Sequence, residues 1–99
     1  MNNTILICGD RNWTNYDTIK REIINFQPTL IIEGEARGAD TIARNIGEEL
    51  GIPVQKFPAN WTVYGKGAGY IRNQEMLDVG KPHIILAFHS NIAESKGTK

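Results

Sequence analysis

Short apolar runs alternate along this chain with longer segments in which apolar residues recur at helical spacing. Four runs have the length and β-branched content of strands, at residues 4–8, 30–32, 52–57 and 83–88. Three segments show the helical pattern, at residues 16–26, 39–50 and 69–79. The pattern therefore predicts four strands and three helices in alternation, beginning with a strand.

Alternating strands and helices predict a parallel sheet with right-handed crossovers. We expect an α/β three-layer sandwich with strand order 3-2-1-4, in which the first two helices cover one face and the third covers the other. Pro53 and Lys56 place the third strand at the sheet edge, because proline cannot donate to a strand ladder and charge discourages further pairing. In such a sheet a binding crevice opens at the carboxyl ends of strands 1 and 4.

The expected ends of the helices follow from local signals. Thr14 and Asp17 have the spacing of a capping box at the start of the first helix, and Pro28 ends that helix. Gly51 closes the second helix and Gly80 the third. Residues 58–69 are left as the longest irregular connection, which makes them a candidate binding loop.

Length and charge narrow the class of protein. With 99 residues, 40% of them hydrophobic, the chain is expected to form one domain over residues 1–99. Eleven basic and eleven acidic side chains cancel, so we expect no general electrostatic surface for a nucleic-acid polymer or an anionic membrane. Cys8 lies in an apolar run and is expected to be a buried, inert thiol, and no Cys or His cluster has metal-ligand spacing. The first residues lack a signal-peptide pattern, so we expect a cytoplasmic protein.

Residues 33–40 join the second strand to the second helix through a turn of small residues. Gly34 and Gly38 allow positive φ and close approach of a ligand to the main chain. Asp40 either caps the helix or leaves its first amides free, and free amides together with the helix dipole would attract phosphate. Arg37 would add positive charge. An ordinary tight turn with a surface arginine explains the same residues, so this segment alone leaves both interpretations open.

Other loops bring further basic residues to the same rim of the sheet. These loops cover residues 9–12, part of 58–69 and 89–98, and the third helix begins beside them. The basic residues in question are Arg11, Arg37, Lys66, Arg72 and Lys96. Polar residues are common on any loop surface, which is the alternative explanation for this clustering.

Several segments, taken together, resemble one family along nearly the whole chain. They are GEARGAD at 34–40, FPANW at 57–61, YGK at 64–66, AG at 68–69, IRN at 71–73 with Met76, and AF at 87–88. This combination is similar to the YspA/YpsA-related branch of the SLOG superfamily. The resemblance implies a Rossmann-like fold and the binding or processing of nucleotides or nucleotide-derived signals. Relatives in the LOG branch cleave the N-glycosidic bond of nucleoside monophosphates.

The sequence departs from the family pattern in two places. Glu35 stands where family members often have glycine, which puts a carboxylate inside the expected phosphate loop. Ser95-Lys96-Gly97-Thr98 resembles the last glycine-threonine phosphate motif, which in the family is followed by a further helix and strand, whereas this sequence ends at Lys99. We therefore expect a domain without that helix and strand. The sheet face left uncovered predicts a homo-oligomer.

The preferred hypothesis is a binding protein for a nucleotide-derived small molecule, possessing neither cofactor nor metal. Phosphate would lie on the main chain of residues 34–40 and would also contact Arg37, Arg72 and Lys96. Trp13 or Trp61 would stack on the base. Asp10 or Asn73 would form hydrogen bonds with ribose hydroxyls. The full set of expected ligand-binding residues is Gly9, Asp10, Arg11, Trp13, Gly34, Glu35, Ala36, Arg37, Gly38, Asp40, Trp61, Arg72, Asn73, Ser95, Lys96, Gly97 and Thr98. The tryptophans and Arg72 also have an alternative role in the structure alone. The tryptophans would then be packing residues, and Arg72 would form an ion pair with Glu75 or Glu35.

Two other functions remain open. An N-glycosidase would need a carboxylate to orient water, for which Asp10, Glu35 and Asp40 are available, with Arg72 holding the phosphate. The glycine-rich motif of the glycosidase branch is incomplete here, which favours binding over hydrolysis. A non-catalytic interaction domain with a decayed pocket is the third hypothesis.

Overall fold

The computed structural model describes residues 3–35 and 37–88, which form the predicted alternation of strands and helices. The strands are β1 (Thr4–Gly9), β2 (Leu30–Glu33), β3 (Val54–Lys56) and β4 (Ile84–Phe88). The main helices are α1 (Tyr16–Phe26), α2 (Ala39–Leu50) and α4 (Ala68–Asp78), and a short helix α3 (Trp61–Tyr64) precedes a 3₁₀ turn at Gly65–Gly67. All strand pairs are parallel and their order is β3-β2-β1-β4, which confirms the expected fold class.

Apolar side chains of the sheet are buried on both faces. On one face Ile5, Ile7 and Ile31 pack against Ile23 of α1 and Ile46 of α2, and this is the larger part of the core. The buried cluster on the other face is smaller, and among the described residues it consists of Leu6, Ile32 and, from α4, Met76. The helices are therefore distributed as predicted, two on one face and one on the other.

Two features of the main chain differ from the prediction. Asn15 caps α1, with its side chain accepting from the Thr18 amide at 3.1 Å, so the capping box at Thr14 and Asp17 is wrong. Residues 58–69 are also less irregular than expected, because the side chain of Asn60 accepts from the Val63 amide and starts α3.

The sheet face that packs on α4 is incompletely covered at β4. Ile85 is 55% exposed and Leu77 of α4 is 44% exposed. Side chains of this size are usually more buried on a strand with neighbours on both faces. Within residues 3–35 and 37–88, no helix has the length and apolar character needed to cross a bilayer.

Candidate functional site

A hollow of about 580 Å³ lies between the β1–α1 loop and the first turn of α2. The β1–α1 loop lines it with Arg11, Asn12, Trp13 and Thr14, and the α2 side lines it with Arg37, Gly38, Thr41 and Ile42. Four of the predicted ligand-binding residues thus surround one space. They are the two exposed arginines, the tryptophan and the glycine at the start of α2.

Asp10 connects the two loops that border this hollow. Its carbonyl accepts from the Trp13 amide at 3.0 Å and from the Ala39 amide at 3.3 Å. Its carboxylate accepts from the Asn12 amide at 2.8 Å, which closes a tight turn after β1. Asp10 therefore holds the loop in shape from within.

The indole of Trp13 is held in place on two sides. Its Nε1 donates to the Asn15 carbonyl at 2.9 Å. Its ring lies 5.5 Å from the Phe88 ring, centroid to centroid, at an interplanar angle of 56°. Trp13 is half-buried and packs against the core while also lining the hollow. The packing and the ligand-stacking interpretations are therefore compatible for this residue.

Gly38 is required by the close approach of the two loops. Its φ is 75°, and a Cβ there would collide with the carbonyl groups of Asp10 and Arg11. Gly38 therefore adopts the positive φ that glycine allows. Gly34 does not adopt the positive φ that glycine allows; in this part of the loop the positive φ lies at the next residue, Glu35, with a value of 58°.

The first two amides of the β2–α2 loop are bound by the chain's own carboxyl groups. The Gly34 amide donates to Asp40 Oδ2 at 2.9 Å, and the Glu35 amide donates to Glu33 Oε2 at 3.1 Å. Asp40 therefore does not cap α2, whose N-cap is Gly38 without a side-chain hydrogen bond. Because both amides already have acceptors, they do not point outward as the phosphate hypothesis assumed.

Glu33 is the unexpected feature of this loop. It is fully buried, and its Oε1 has no hydrogen-bond partner among the described residues. Burial, together with the nearby Asp40 carboxylate, raises the pKa of Glu33 from 4.5 to about 7. The hydrogen bond from the Glu35 amide and the charge of Arg44 oppose this rise. The site thus contains a carboxylic acid that titrates near neutral pH.

Arg72 reaches the same loop from α4. Its guanidinium donates to the Gly34 carbonyl through Nη1, and its Nε donates to Asn73 Oδ1 at 2.8 Å. A Cβ on Gly34 would lie 2.5 Å from Nη1, so the absence of a side chain makes room for Arg72. Within the part of the chain that the structure describes, Arg72 has no ion pair with Glu75 or Glu35.

Arg72 and Asn73 lie on the α4 face of the sheet, away from the hollow. Asn73 lines a second cavity of about 200 Å³ together with mainly apolar residues, namely Leu6, Cys8, Met76, Leu77 and Ile85. Burial raises the pKa of the Cys8 thiol, and the Asp40 carboxylate adds to the rise. The predicted single binding rim is therefore divided between two faces of the sheet.

The remaining candidate residues lie elsewhere or outside the described residues. Trp61 is 60% exposed in α3 and lines neither the hollow nor the second cavity. Gly9 ends β1, where a Cβ would collide with the Phe88 carbonyl. Ala36 and residues 95–98, which include Lys96, lie outside the described residues. No group of three His, Cys, Asp or Glu side chains in residues 3–35 and 37–88 could hold a metal ion.

Several residues of the site are absent from the set predicted from the sequence. Asn12 belongs to the rim loop predicted at residues 9–12, and Asn12 and Thr14 are the neighbours of Trp13 in the sequence, so their place in the lining could have been inferred. The burial of Glu33 could have been predicted more directly from its position in the strand. Successive strand residues point to opposite faces, so Glu33 shares the face of Ile31, two residues earlier, and must lie under α2.

Comparison with known proteins identifies one family and one similar phage protein. The family model described as YAcAr, the YspA, cpYpsA-related SLOG family, matches residues 3–64, a range that contains every residue lining the hollow. The Gene 61 protein of Mycobacterium phage D29 is 33% identical over 105 residues, covering 96% of this chain and 82% of that protein. No solved structure is significantly similar to the chain.

Proposed function

The chain belongs to the YspA, cpYpsA-related SLOG family, and we propose that it binds a nucleotide or a nucleotide-derived small molecule in the hollow beside α2. The family is associated with nucleotide-related Rossmann-like domains, which supports this class of ligand. The observation that carries the proposal is the position of Arg11, Arg37 and Trp13 around one space of about 580 Å³. Small-molecule sites commonly have volumes of roughly 300–1,000 Å³.

The two arginines supply the charge that an anionic ligand needs. A guanidinium group binds phosphate through paired, charge-assisted hydrogen bonds. Neither Arg11 nor Arg37 forms a salt bridge with another described residue, so a ligand would not have to displace an acidic side chain from them. The first turn of α2 adds the positive end of its helix dipole. Phosphate binding would thus rest on side chains and the helix end instead of the Gly34 and Glu35 amides.

Trp13 is the better candidate for contact with a base. Its ring is fixed by Asn15 and Phe88, so stacking would cost little side-chain entropy. The hollow also includes Ile42, which adds apolar surface beside the indole. Trp61 lies outside the hollow, and a contact from it would require a ligand extending beyond this space.

Binding is favoured over glycosidic hydrolysis by the state of the carboxyl groups. Asp10 closes a turn and Asp40 holds the Gly34 amide, so both have structural tasks. Glu35 is exposed, at a position whose φ is 58°. A carboxylate that orients water must be aimed at the reacting bond, and none of the three is part of the lining of the hollow.

Isothermal titration with AMP, GMP, CMP and UMP tests the proposal. We expect at least one of them to bind, and Arg37→Ala to weaken that binding about 10- to 100-fold, because one charge-assisted hydrogen bond contributes about 1.5–3 kcal/mol. Arg21→Ala, at an exposed position on α1 that does not line the hollow, is the matched control and should bind like the wild type. Equal affinities of Arg37→Ala and Arg11→Ala with the wild type would refute the placement of the ligand. Release of free base in the same samples would favour an enzyme.

We further propose that the exposed face near Ile85 packs against a second copy of the chain. Ile85 and Leu77 are exposed side by side at the second cavity, and exposed apolar patches commonly mark association surfaces. Association through this face would leave the hollow on the opposite face accessible.

A further inference from the structure

The buried carboxyl group of Glu33 lies on the sheet face that α2 covers, and the first turn of α2 lines the proposed binding site. Glu33 is paired in register with Ile7 of β1 and Lys56 of β3, and it follows Ile31 on the face covered by α2. Its Oε2 accepts from the Glu35 amide, two residues before Arg37. The side chain therefore supports, from inside, the loop that carries one of the two arginines of the hollow.

One oxygen of this group has no hydrogen-bond partner in the part of the chain that the structure describes. Glu33 Oε1 is fully buried and makes no hydrogen bond with any described residue. When the carboxylate is ionised, this buried oxygen has no donor among the described residues, which makes the negative charge of the group costly. The same oxygen bearing a proton is less costly, since the group is then neutral.

The charged groups around Glu33 do not offset the free-energy cost of ionising it. From α2, Asp40 faces it with a negative charge and Arg44 with a positive one. From the loop, the Glu35 carboxylate adds a second negative charge. Lys56 lies beside it on β3, but is exposed to solvent, where its charge is screened. A further negative charge placed at the start of α2 would therefore increase the repulsion on an ionised Glu33.

We propose that an anion entering the hollow is bound together with a proton, and that the proton is taken up from solvent by the Glu33 carboxylate. This inference rests on the proposed function. Binding and protonation are linked equilibria, so a ligand that favours protonated Glu33 must bind more tightly when the group is already protonated. Glu33 is thus a positioning residue that also makes affinity depend on pH, without touching the ligand.

A carboxyl ¹³C NMR titration of the wild-type protein tests this directly, with and without saturating AMP. The free protein should show the Glu33 resonance titrating near neutral pH, and AMP should raise that midpoint. An unchanged or lowered midpoint with AMP bound would overturn the inference while leaving the proposed function intact. If none of the four nucleoside monophosphates binds, the proposed function fails and this inference fails with it.

The pH dependence of affinity gives a second, independent readout. Each unit of upward shift in the Glu33 midpoint makes AMP binding to the wild type about tenfold weaker at high pH than at low pH. Glu33→Gln keeps an oxygen for the Glu35 amide but cannot ionise. Because the phosphate of AMP itself titrates at about pH 6, the quantity to compare is the ratio of the wild-type and Glu33→Gln dissociation constants at each pH.

That ratio should change across neutral pH, with the variant binding more tightly than the wild type only at high pH. Glu48→Gln, an exposed change of the same charge on α2, should follow the wild type at every pH. A constant ratio between Glu33→Gln and wild type across the titration would overturn the inference. Since the NMR measurement uses only the wild type, the test survives a variant that folds poorly.

Discussion

Replacing Glu33 with glutamine should make the protein progressively more stable relative to the wild type as the pH rises through neutrality. The pKa of Glu33 is about 7 in the folded protein, against 4.5 when it is exposed. Below about pH 4.5 both states hold the proton, and between the two values only the folded state does. The free energy of unfolding of the wild type therefore falls as pH rises through this window. Above about pH 7 the contribution is constant.

The expected size follows from the two pKa values. A difference of about 2.5 units corresponds to about 3 kcal/mol. Most of it, about 2–3 kcal/mol, develops between about pH 5 and about pH 8. That is a large fraction of the roughly 5–15 kcal/mol that stabilises a typical domain. Glutamine does not ionise, so the variant should lack this fall, whatever constant offset its amide group introduces.

Urea unfolding at a series of pH values measures this difference. The gap between the unfolding free energies of Glu33→Gln and wild type should widen by about 2–3 kcal/mol from about pH 5 to about pH 8. Glu48→Gln serves as the control, since the same substitution at an exposed position on α2 should leave the wild-type slope unchanged. Parallel curves for Glu33→Gln and wild type would show that Glu33 ionises normally, and the account of its burial would be wrong.

The remaining predictions concern the loops and the exposed face. Gly38→Ala should lower the free energy of unfolding by about 2–4 kcal/mol, because a positive φ is combined with collisions at two carbonyl groups; Gly51→Ala has a similar φ and open space, so urea unfolding should show a loss of only about 1 kcal/mol. Ile85→Lys should reduce the oligomer mass seen by light scattering to that of a monomer, whereas Ile24→Lys, an exposed isoleucine on α1, should not; a monomeric wild type would end the assembly proposal. Arg72→Ala should weaken AMP binding less than Arg37→Ala does, since Arg72 contacts the Gly34 carbonyl and not the hollow, and calorimetry that ranks them the other way would move the site to the α4 face.

The fold could be predicted because its signals are local and consistent. Each strand is a short apolar run, each long helix has one apolar face, and alternation leaves few topologies for a parallel sheet. The ends of the strands and helices were harder to predict. β3 begins at Val54 because Pro53 has no amide hydrogen, although its carbonyl still accepts from Ile31 at 3.0 Å. The start of α1 was missed by one residue, since Thr14 and Asn15 are both good capping residues.

The hydrogen bonds of the site could not be predicted in the same way. Glycine spacing indicates where the main chain turns sharply, but not which acceptor each amide finds. Here the acceptors of the Gly34 and Glu35 amides come from Asp40 and Glu33, one on a helix and one on a strand. Their approach depends on how α2 lies on the sheet, which is a property of the packed core and not of the loop sequence.

This arrangement changes what kind of anion site the loop can form. In a loop that binds phosphate through free amides, the main chain supplies most of the positive potential. In this chain two such amides donate to buried carboxyl groups, so these amides are not available to an anion at the proposed binding surface. Attraction must then come from the exposed guanidinium groups of Arg11 and Arg37, whose charges are strongly screened by salt. AMP affinity should therefore decrease steeply with ionic strength, and titrations in increasing sodium chloride would measure it; an affinity insensitive to salt would instead place the phosphate on main-chain amides.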